Sequence, residues 1–194
     1  MKGAIMAASA DLTTLAKVKN YLGIPVSDHD ILLTSLIASV SEAVEQYCAR
    51  EFAAKERTEF HDGSGATALI MRCRPIIAVS SVNDDLSRKF ADSTRIAPEA
   101  YVFYPEAGVI RLDDGVFAHG LRNVQVVYTA GYAAIPPAVE QAANILAAHF
   151  FNRGRQGGDG VASESLGSYT VSYNDSEWPA AAKGLLCQYR EVEV

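Results

Sequence analysis

The chain has 194 residues, a formal net charge of −6 and 49% hydrophobic residues, which is enough to build a sizeable core in one or two domains. Its acidic and basic residues are interspersed, so the sequence lacks the basic footprint with which nucleic-acid binders neutralise phosphates. Every apolar stretch is shorter than the ~20 residues of a membrane helix, and we expect no membrane span. Residues 1–10 are mostly small, and we expect a disordered leader there.

Two amphipathic helices are predicted over residues 11–54. Asp11 is placed to cap the first helix, because its carboxylate can accept from the free amides of a first turn. The second helix is longer, begins after Ser27 or Asp28 and ends near Arg50, with apolar residues recurring at intervals of three and four. We therefore expect an N-terminal helical pair.

The middle of the chain, residues 55–133, has a different pattern. Short apolar runs alternate with Gly, Pro and Asn-Asp turns, which is typical of an inserted antiparallel β-domain of about five or six strands. Residues 134–194 then return to a helical pattern that begins at Pro136 and Pro137. We expect these C-terminal helices to pack on residues 11–54, with a flexible Gly-rich loop over residues 153–167.

No pattern in the chain predicts catalysis, a cofactor or a metal site. The glycine cluster 154–160 lacks the Lys-Ser/Thr of a phosphate-binding loop and follows a helix instead of a strand. The four histidines and three cysteines have no spacing typical of metal ligation or redox chemistry. We therefore predict a protein that is not an enzyme.

The order of these parts resembles the tailed-phage head-to-tail connector proteins, also called head completion or adaptor proteins. The segments that carry the resemblance are, in chain order, Leu12–Leu22, Asp28–Ile37, Glu45–Phe52, Arg74–Val82, Val126–Tyr132, Pro137–Ala142 and Glu164–Tyr173. Each segment alone is common, but their order over roughly residues 11–190 is specific.

The resemblance implies an α+β fold, mainly a helical bundle with an inserted small antiparallel β-domain. It also implies a ring of about a dozen subunits under the portal of a phage or prophage capsid, located in the virion neck and, before assembly, in the host cytoplasm. Such a ring extends the DNA channel and docks the next neck or tail protein. An acidic ring would repel phosphates and let DNA pass without specific binding.

Residues near the Gly-rich loop and the last helix are the candidates for partner binding, because a segment that orders on assembly can wrap a partner. The candidates are Arg153, Arg155, Gln156, Asp159, Glu164, Tyr169, Tyr173 and Trp178.

Two alternatives remain open at this point. The β-region could host a small enzyme or ligand-binding domain, which would require a pocket with converging polar side chains. A DNA-binding adaptor could use Arg72, Arg74, Arg88 and Lys89, and its affinity for duplex DNA would fall steeply with added salt.

Overall fold

The computed structural model describes residues 10–155 and 178–191, and the backbone of residues 163–166 and 169–172. The chain forms two compact units. The first, called the helical unit, comprises residues 1–50 and 135–194, and the second, the β unit, comprises residues 51–134. Except for Ala10, the predicted leader lies outside the described residues.

Four α-helices and eight strands make up the described part of the chain. In chain order they are α1 (Leu15–Leu22), α2 (Asp30–Cys48), β1 (Lys55–Gly63), β2 (Ala68–Ile70), β3 (Ile76–Asp84), β4 (Tyr101–Tyr104), β5 (Val109–Leu112), β6 (Gly120–Ala130), α3 (Pro137–Arg155), β7 (Ser163–Leu166), β8 (Tyr169–Ser172) and α4 (Ala180–Leu186). Short 3₁₀ turns lie at Asp92–Thr94, Pro98–Ala100 and Cys187–Tyr189.

Helix α1 begins later than the sequence pattern predicts. Thr14 is its N-cap, and the Thr14 hydroxyl accepts a hydrogen bond from the amide of Lys17. Asp11 does not cap the helix, because Leu12 and Thr13 are buried and hydrogen-bonded to side chains of α2 and α3. These bonds hold the chain outside the helix until Thr14.

Helix α3 is the centre of the helical unit and packs against α1, α2 and α4. It continues through Gly154 to Arg155, although the sequence pattern predicts a stop before Gly154. Arg153 and Arg155 in its last turn favour this extension, since cations stabilise a helix C-terminus. The largest fully buried side chains of this unit are Leu12, Val18, Leu33, Val44, Leu146, Phe151 and Leu186.

Two three-stranded antiparallel sheets form the β unit, with strand orders β1-β6-β3 (sheet 1) and β2-β5-β4 (sheet 2). Because side chains alternate along a strand, each sheet has an inner and an outer face. The inner faces share one core, to which Val82, Val124, Val126 and Tyr128 of sheet 1 and Leu69, Tyr101, Ile110 and Leu112 of sheet 2 contribute.

The predicted fold class is wrong in one respect, because the protein is not mainly a helical bundle. Among the residues that the structure describes, 39% are helical and 27% are in strands. The strands form two three-stranded sheets with their own core, so the inserted β unit is not small beside the helical unit. The sequence pattern under-weights this unit because its strands pair over long distances, as in His61 with Val124.

The segment predicted as a flexible loop, residues 153–167, contains the last turn of α3 and strand β7. Strand β7 pairs with β8 as an antiparallel hairpin that joins Ser163 to Ser172 and Leu166 to Tyr169. Residues 156–162 and 167 lie outside the described part of the chain. None of the described helices is long and apolar enough to cross a membrane.

Candidate partner-binding surface of the helical unit

A groove lies between α2 and α3 in the helical unit. It has a volume of about 480 Å³ and is lined by Leu36, Ser39, Val40, Ala43, Phe150, Arg153 and Gly154. The lining from α2 follows the helical repeat of three and four residues, so these side chains form one strip along the helix. Most of the lining is apolar, which is typical of a surface that receives an apolar segment of another protein.

Arg153 is the predicted site residue that lies in this groove. It is half-buried, and its position in the last turn of α3 places a cation at the end of an apolar strip. Arg155 is exposed, and its guanidinium lies 5.5 Å from the centre of the Phe151 ring, a distance typical of a cation–π contact. The groove therefore ends in positive charge.

Trp178 belongs to a separate aromatic cluster of the same unit. Its ring lies 5.0 Å from that of Tyr47 on α2, and the Arg190 guanidinium lies 5.4 Å from the Tyr47 ring. Tyr47 follows Ala43 by four residues, so it continues the groove strip by one helical turn. The apolar surface of α2 thus runs from Leu36 to the Trp178 cluster.

The segment at Glu191 is hydrogen-bonded and ion-paired to residues at the C-terminal end of α2, beside this cluster. The backbone amide of Glu191 donates to the carbonyl of Cys48 over 2.9 Å, and Arg50 forms an ion pair with Glu191 over 2.9 Å. Both side chains are largely buried, so solvent screens the pair less than it screens a surface pair.

The other predicted site residues cannot be placed in the groove. Gln156, Asp159 and Tyr173 lie outside the described residues. Glu164 and Tyr169 lie in the β7–β8 hairpin, where Glu164 is opposite Val171 and Tyr169 is opposite Leu166. Their role in partner binding stays a prediction.

His149 is the titratable group nearest the groove that burial perturbs. Burial lowers its pKa, and the Arg153 charge lowers it further. Its Nε2 atom is buried without a partner among the described residues. A neutral imidazole that packs against the edge of Phe150 fits these facts.

In the described part of the chain, no three His, Cys, Asp or Glu side chains are placed to hold a metal ion.

The sequence pattern does not predict the groove. The helical periodicity assigns Leu36, Val40 and Phe150 to packing faces, yet Leu36 and Phe150 are only half-buried. The sequence contains part of the information that would predict the groove, because the apolar stripe of α2 is wider than one neighbouring helix can cover. Its width alone gives no indication of which residues α3 leaves uncovered.

Comparison with known proteins defines the class. The family model described as head completion protein matches residues 11–192. No curated protein matches the chain with significance. Three solved structures share its fold at 16–17% sequence identity.

These three structures come from gene transfer agent (GTA) particles. A chain from the neck of the empty GTA particle, computed with C6 symmetry, aligns with a TM-score of 0.64 at 16% identity over 99% of this chain and 96% of that chain. A chain from the neck of the native particle, computed with C12 symmetry, gives 0.63 at 16% identity over 100% and 97%. A chain from the native GTA virion gives 0.63 at 17% identity over 100% and 97%.

The protein is thus a structural subunit of the phage head-to-tail connector class. The chain belongs to the head completion protein family.

Proposed function

We propose that this chain forms a ring of about a dozen copies in the virion neck, beneath the portal. The ring extends the DNA channel and docks the next neck or tail protein, and it has no enzymatic activity. The observation that carries the proposal is the match to the head completion family over residues 11–192. The C6 and C12 symmetries of the GTA necks that share the fold support a ring.

Charge supports the role of a conduit. The chain carries a formal net charge of −6, and this charge is repeated with every subunit of a ring. A negative channel wall repels the phosphate backbone and lets the duplex slide. The alternative of a DNA-binding adaptor predicts duplex affinity that falls steeply with salt, whereas the conduit predicts no measurable affinity at moderate salt.

The groove between α2 and α3 is proposed as the docking site for a neighbouring neck protein. Its apolar strip suits the apolar face of an amphipathic helix, and Arg153 at its end suits an acidic residue on that helix. The predicted partner-binding residues Arg155 and Trp178 flank the strip at the ends of α3 and α2.

A pair of matched substitutions on α2 tests this docking site. Leu36→Glu places a carboxylate in the groove, whereas Ile31→Glu places one at a site that is 90% exposed on the same helix. Leu36→Glu is expected to abolish binding of the next neck protein in a pull-down from assembled particles, while Ile31→Glu binds like the wild type. Equal binding by both variants would remove the groove from the proposal.

The ring itself is tested separately. The full chain is mixed with its cognate portal ring. The complexes are imaged, and their molar mass is measured by light scattering. Stoichiometric rings on the portal support the proposal. A chain that neither closes into rings nor binds the portal contradicts it.

A hydrolase or ligand-binding role would instead require a polar pocket, and Arg153 is the single ionisable side chain in the described lining of the groove.

A further inference from the structure

Two apolar patches with opposite rims of charge lie on the β unit. The first, called the basic patch, consists of Leu86, Arg88, Lys89, Leu121 and Arg122. Leu86 and Leu121 are 65% and 74% exposed, and the three cations are exposed as well. None of these cations forms an ion pair with any residue in the described part of the chain.

The basic patch lies on the outer side of sheet 1. Phe60 is opposite Gln125, one residue away from the inward pair of His61 and Val124, so Phe60 faces outward. The Arg122 guanidinium lies 5.2 Å from the Phe60 ring, and the Phe90 ring lies 5.4 Å from it. These contacts fold the loop after β3 onto the outer face of the sheet.

The loop that carries the basic patch is held in one conformation. The Asp85 carboxylate accepts hydrogen bonds from the amides of Ser87, Lys89 and Phe90 over 2.8–2.9 Å. Arg88, at φ 57°, adopts a left-handed conformation, which a residue other than glycine keeps only where its surroundings enforce it. An apolar surface that is rigid before contact loses less conformational entropy on binding.

The start of β6 is fixed in the same way. The Asp84 carboxylate accepts from the amide of Ala118 over 2.7 Å and from the side-chain amide of Asn123 over 2.9 Å. Asp62 accepts from the amide of Arg122 over 2.7 Å, and Arg122 has φ 52°. The carboxylates of Asp62, Asp84 and Asp85 therefore accept hydrogen bonds from nearby amides. The cations of the basic patch are exposed and form no ion pair with a described residue.

The second patch, called the acidic patch, consists of Ile70, Glu99, Val102, Tyr104 and Glu106. It lies on the outer face of sheet 2. Val102 and Tyr104 of the edge strand β4 alternate with the inward Tyr101 and Phe103, and Ile70 of β2 lies in the same row as Tyr104, across β5. Ile70 is 72% exposed and Tyr104 is 48% exposed. Glu99 and Glu106 are exposed at the two ends of β4 and form no ion pair with a described residue.

Cations are also present on sheet 2, and they restrict which edge can be used. Arg111 lies opposite Val102 in the middle of the face, and Arg72 and Arg74 follow β2. The charged residues beside β2 are therefore basic, and the acidic residues of the patch, Glu99 and Glu106, flank β4.

We propose that the basic patch of one copy binds the acidic patch of the next copy, head to tail. The two patches lie on opposite outer faces of the two-sheet core and differ in the sign of their rim charge. A ring subunit needs two unlike, complementary surfaces of this kind. The inference rests on the proposed ring and adds to it the surfaces that close the ring.

Photo-crosslinking of the full chain tests the contact directly. Leu121 is replaced by the photo-reactive benzoylphenylalanine, and the protein is mixed with an isotope-labelled wild-type chain. Irradiation at the highest soluble concentration is expected to join residue 121 of one copy to a peptide within residues 98–111 of the labelled copy. Absence of a crosslink between copies, or a crosslink to another region, would overturn the inference.

Charge reversal tests the pairing. Arg88→Glu with Lys89→Glu is expected to lower the crosslink yield about tenfold, because like charges then meet across the contact. Glu99→Lys with Glu106→Lys is expected to lower it equally. A chain that carries all four reversals restores opposite signs and recovers most of the yield. Failure of the fourfold variant to recover, with its fold intact by circular dichroism, counts against the pairing.

A matched control separates pairing from net charge. Asp11→Lys with Asp28→Lys changes the net charge by the same amount as the reversal of Glu99 and Glu106, but these two residues lie in the helical unit. This control is expected to leave the crosslink yield unchanged. Rings that form on the portal in spite of the Arg88 and Lys89 reversals would refute this inference and leave the proposed function intact. A wild-type chain that forms no ring on the portal would refute the proposed function itself.

Discussion

The hydroxyl of Tyr128 donates a hydrogen bond to the Glu59 carboxylate over 2.5 Å inside the β unit. Tyr128 is fully buried on the central strand β6, and the amide of Cys73 donates to its oxygen over 3.3 Å. Burial and the adjacent Glu59 raise the pKa of Tyr128, so the hydroxyl remains a donor across the physiological range.

Tyr128→Phe is expected to lower the free energy of unfolding by about 1–3 kcal/mol, because it leaves the largely buried Glu59 carboxylate without one of its donors. Urea denaturation monitored by circular dichroism measures this. The matched control is Tyr104→Phe, since Tyr104 lies in the same unit and its side chain is half exposed. Equal stability of the two variants would show that the buried bond contributes nothing.

Glu59 makes the stability of the β unit depend on pH. Burial alone would raise its pKa, but hydrogen bonds with His61 and Tyr128 and with the amide of Arg72 outweigh burial and lower the pKa below the ordinary 4.5. A carboxyl whose folded-state pKa is depressed stabilises the fold above its unfolded-state pKa, and this stabilisation is lost as pH falls through the folded-state value.

The wild type is therefore expected to lose stability as pH falls from about 5, and Glu59→Gln to lose less over the same range. Urea midpoints at a series of pH values provide the measurement. Parallel pH profiles for the two proteins would contradict the assignment of this dependence to Glu59.

Position 131 requires glycine because the backbone at Ala53 passes close to it. Its φ is +118°, and a Cβ at this position would lie 2.5 Å from the carbonyl oxygen of Ala53. Gly131→Ala must displace backbone. Gly23, at φ +69°, has open space around it, so Gly23→Ala is expected to cost only about 1 kcal/mol of left-handed backbone strain. Thermal unfolding should show a clearly larger loss for Gly131→Ala, and equal losses would contradict the close approach.

The cysteines should differ in reactivity. Burial raises the pKa of the Cys48 thiol to about 11, and the side chain is inaccessible in the helical unit. Cys187 is exposed. Iodoacetamide at pH 8 is expected to modify Cys187 in the folded protein and Cys48 only after denaturation, because the thiolate is the reactive form. Peptide mass spectrometry reads both sites in one sample, and rapid modification of folded Cys48 would contradict the packing of α2.

Local pattern predicts much of the secondary structure. The second helix is expected to end near Arg50 and ends at Cys48, and the third is expected at Pro136-Pro137 and begins at Pro137. The sequence predicts these helix boundaries because amphipathic spacing and proline affect the backbone over only a few residues. The start of α1 is missed because its cause is not local, since the Thr13 hydroxyl bonds to Asn144, 131 residues away.

The relative extent of the helical and β units is harder to predict from the sequence, and so are the candidate surfaces. Strand β6 pairs with both β1 and β3, and nothing in the local pattern of β6 indicates either partner. Leu86 and Leu121 resemble ordinary loop residues in the sequence, and only the folded chain shows that both are exposed. The groove likewise depends on how α3 crosses α2, which the two helical patterns alone do not determine.

The most direct test of the central claim is the mass and symmetry of the full chain bound to its cognate portal, measured by light scattering and particle images of the same fraction. A closed ring of about a dozen copies seated on the portal is the expected result. A chain that stays monomeric beside intact portal rings would contradict it.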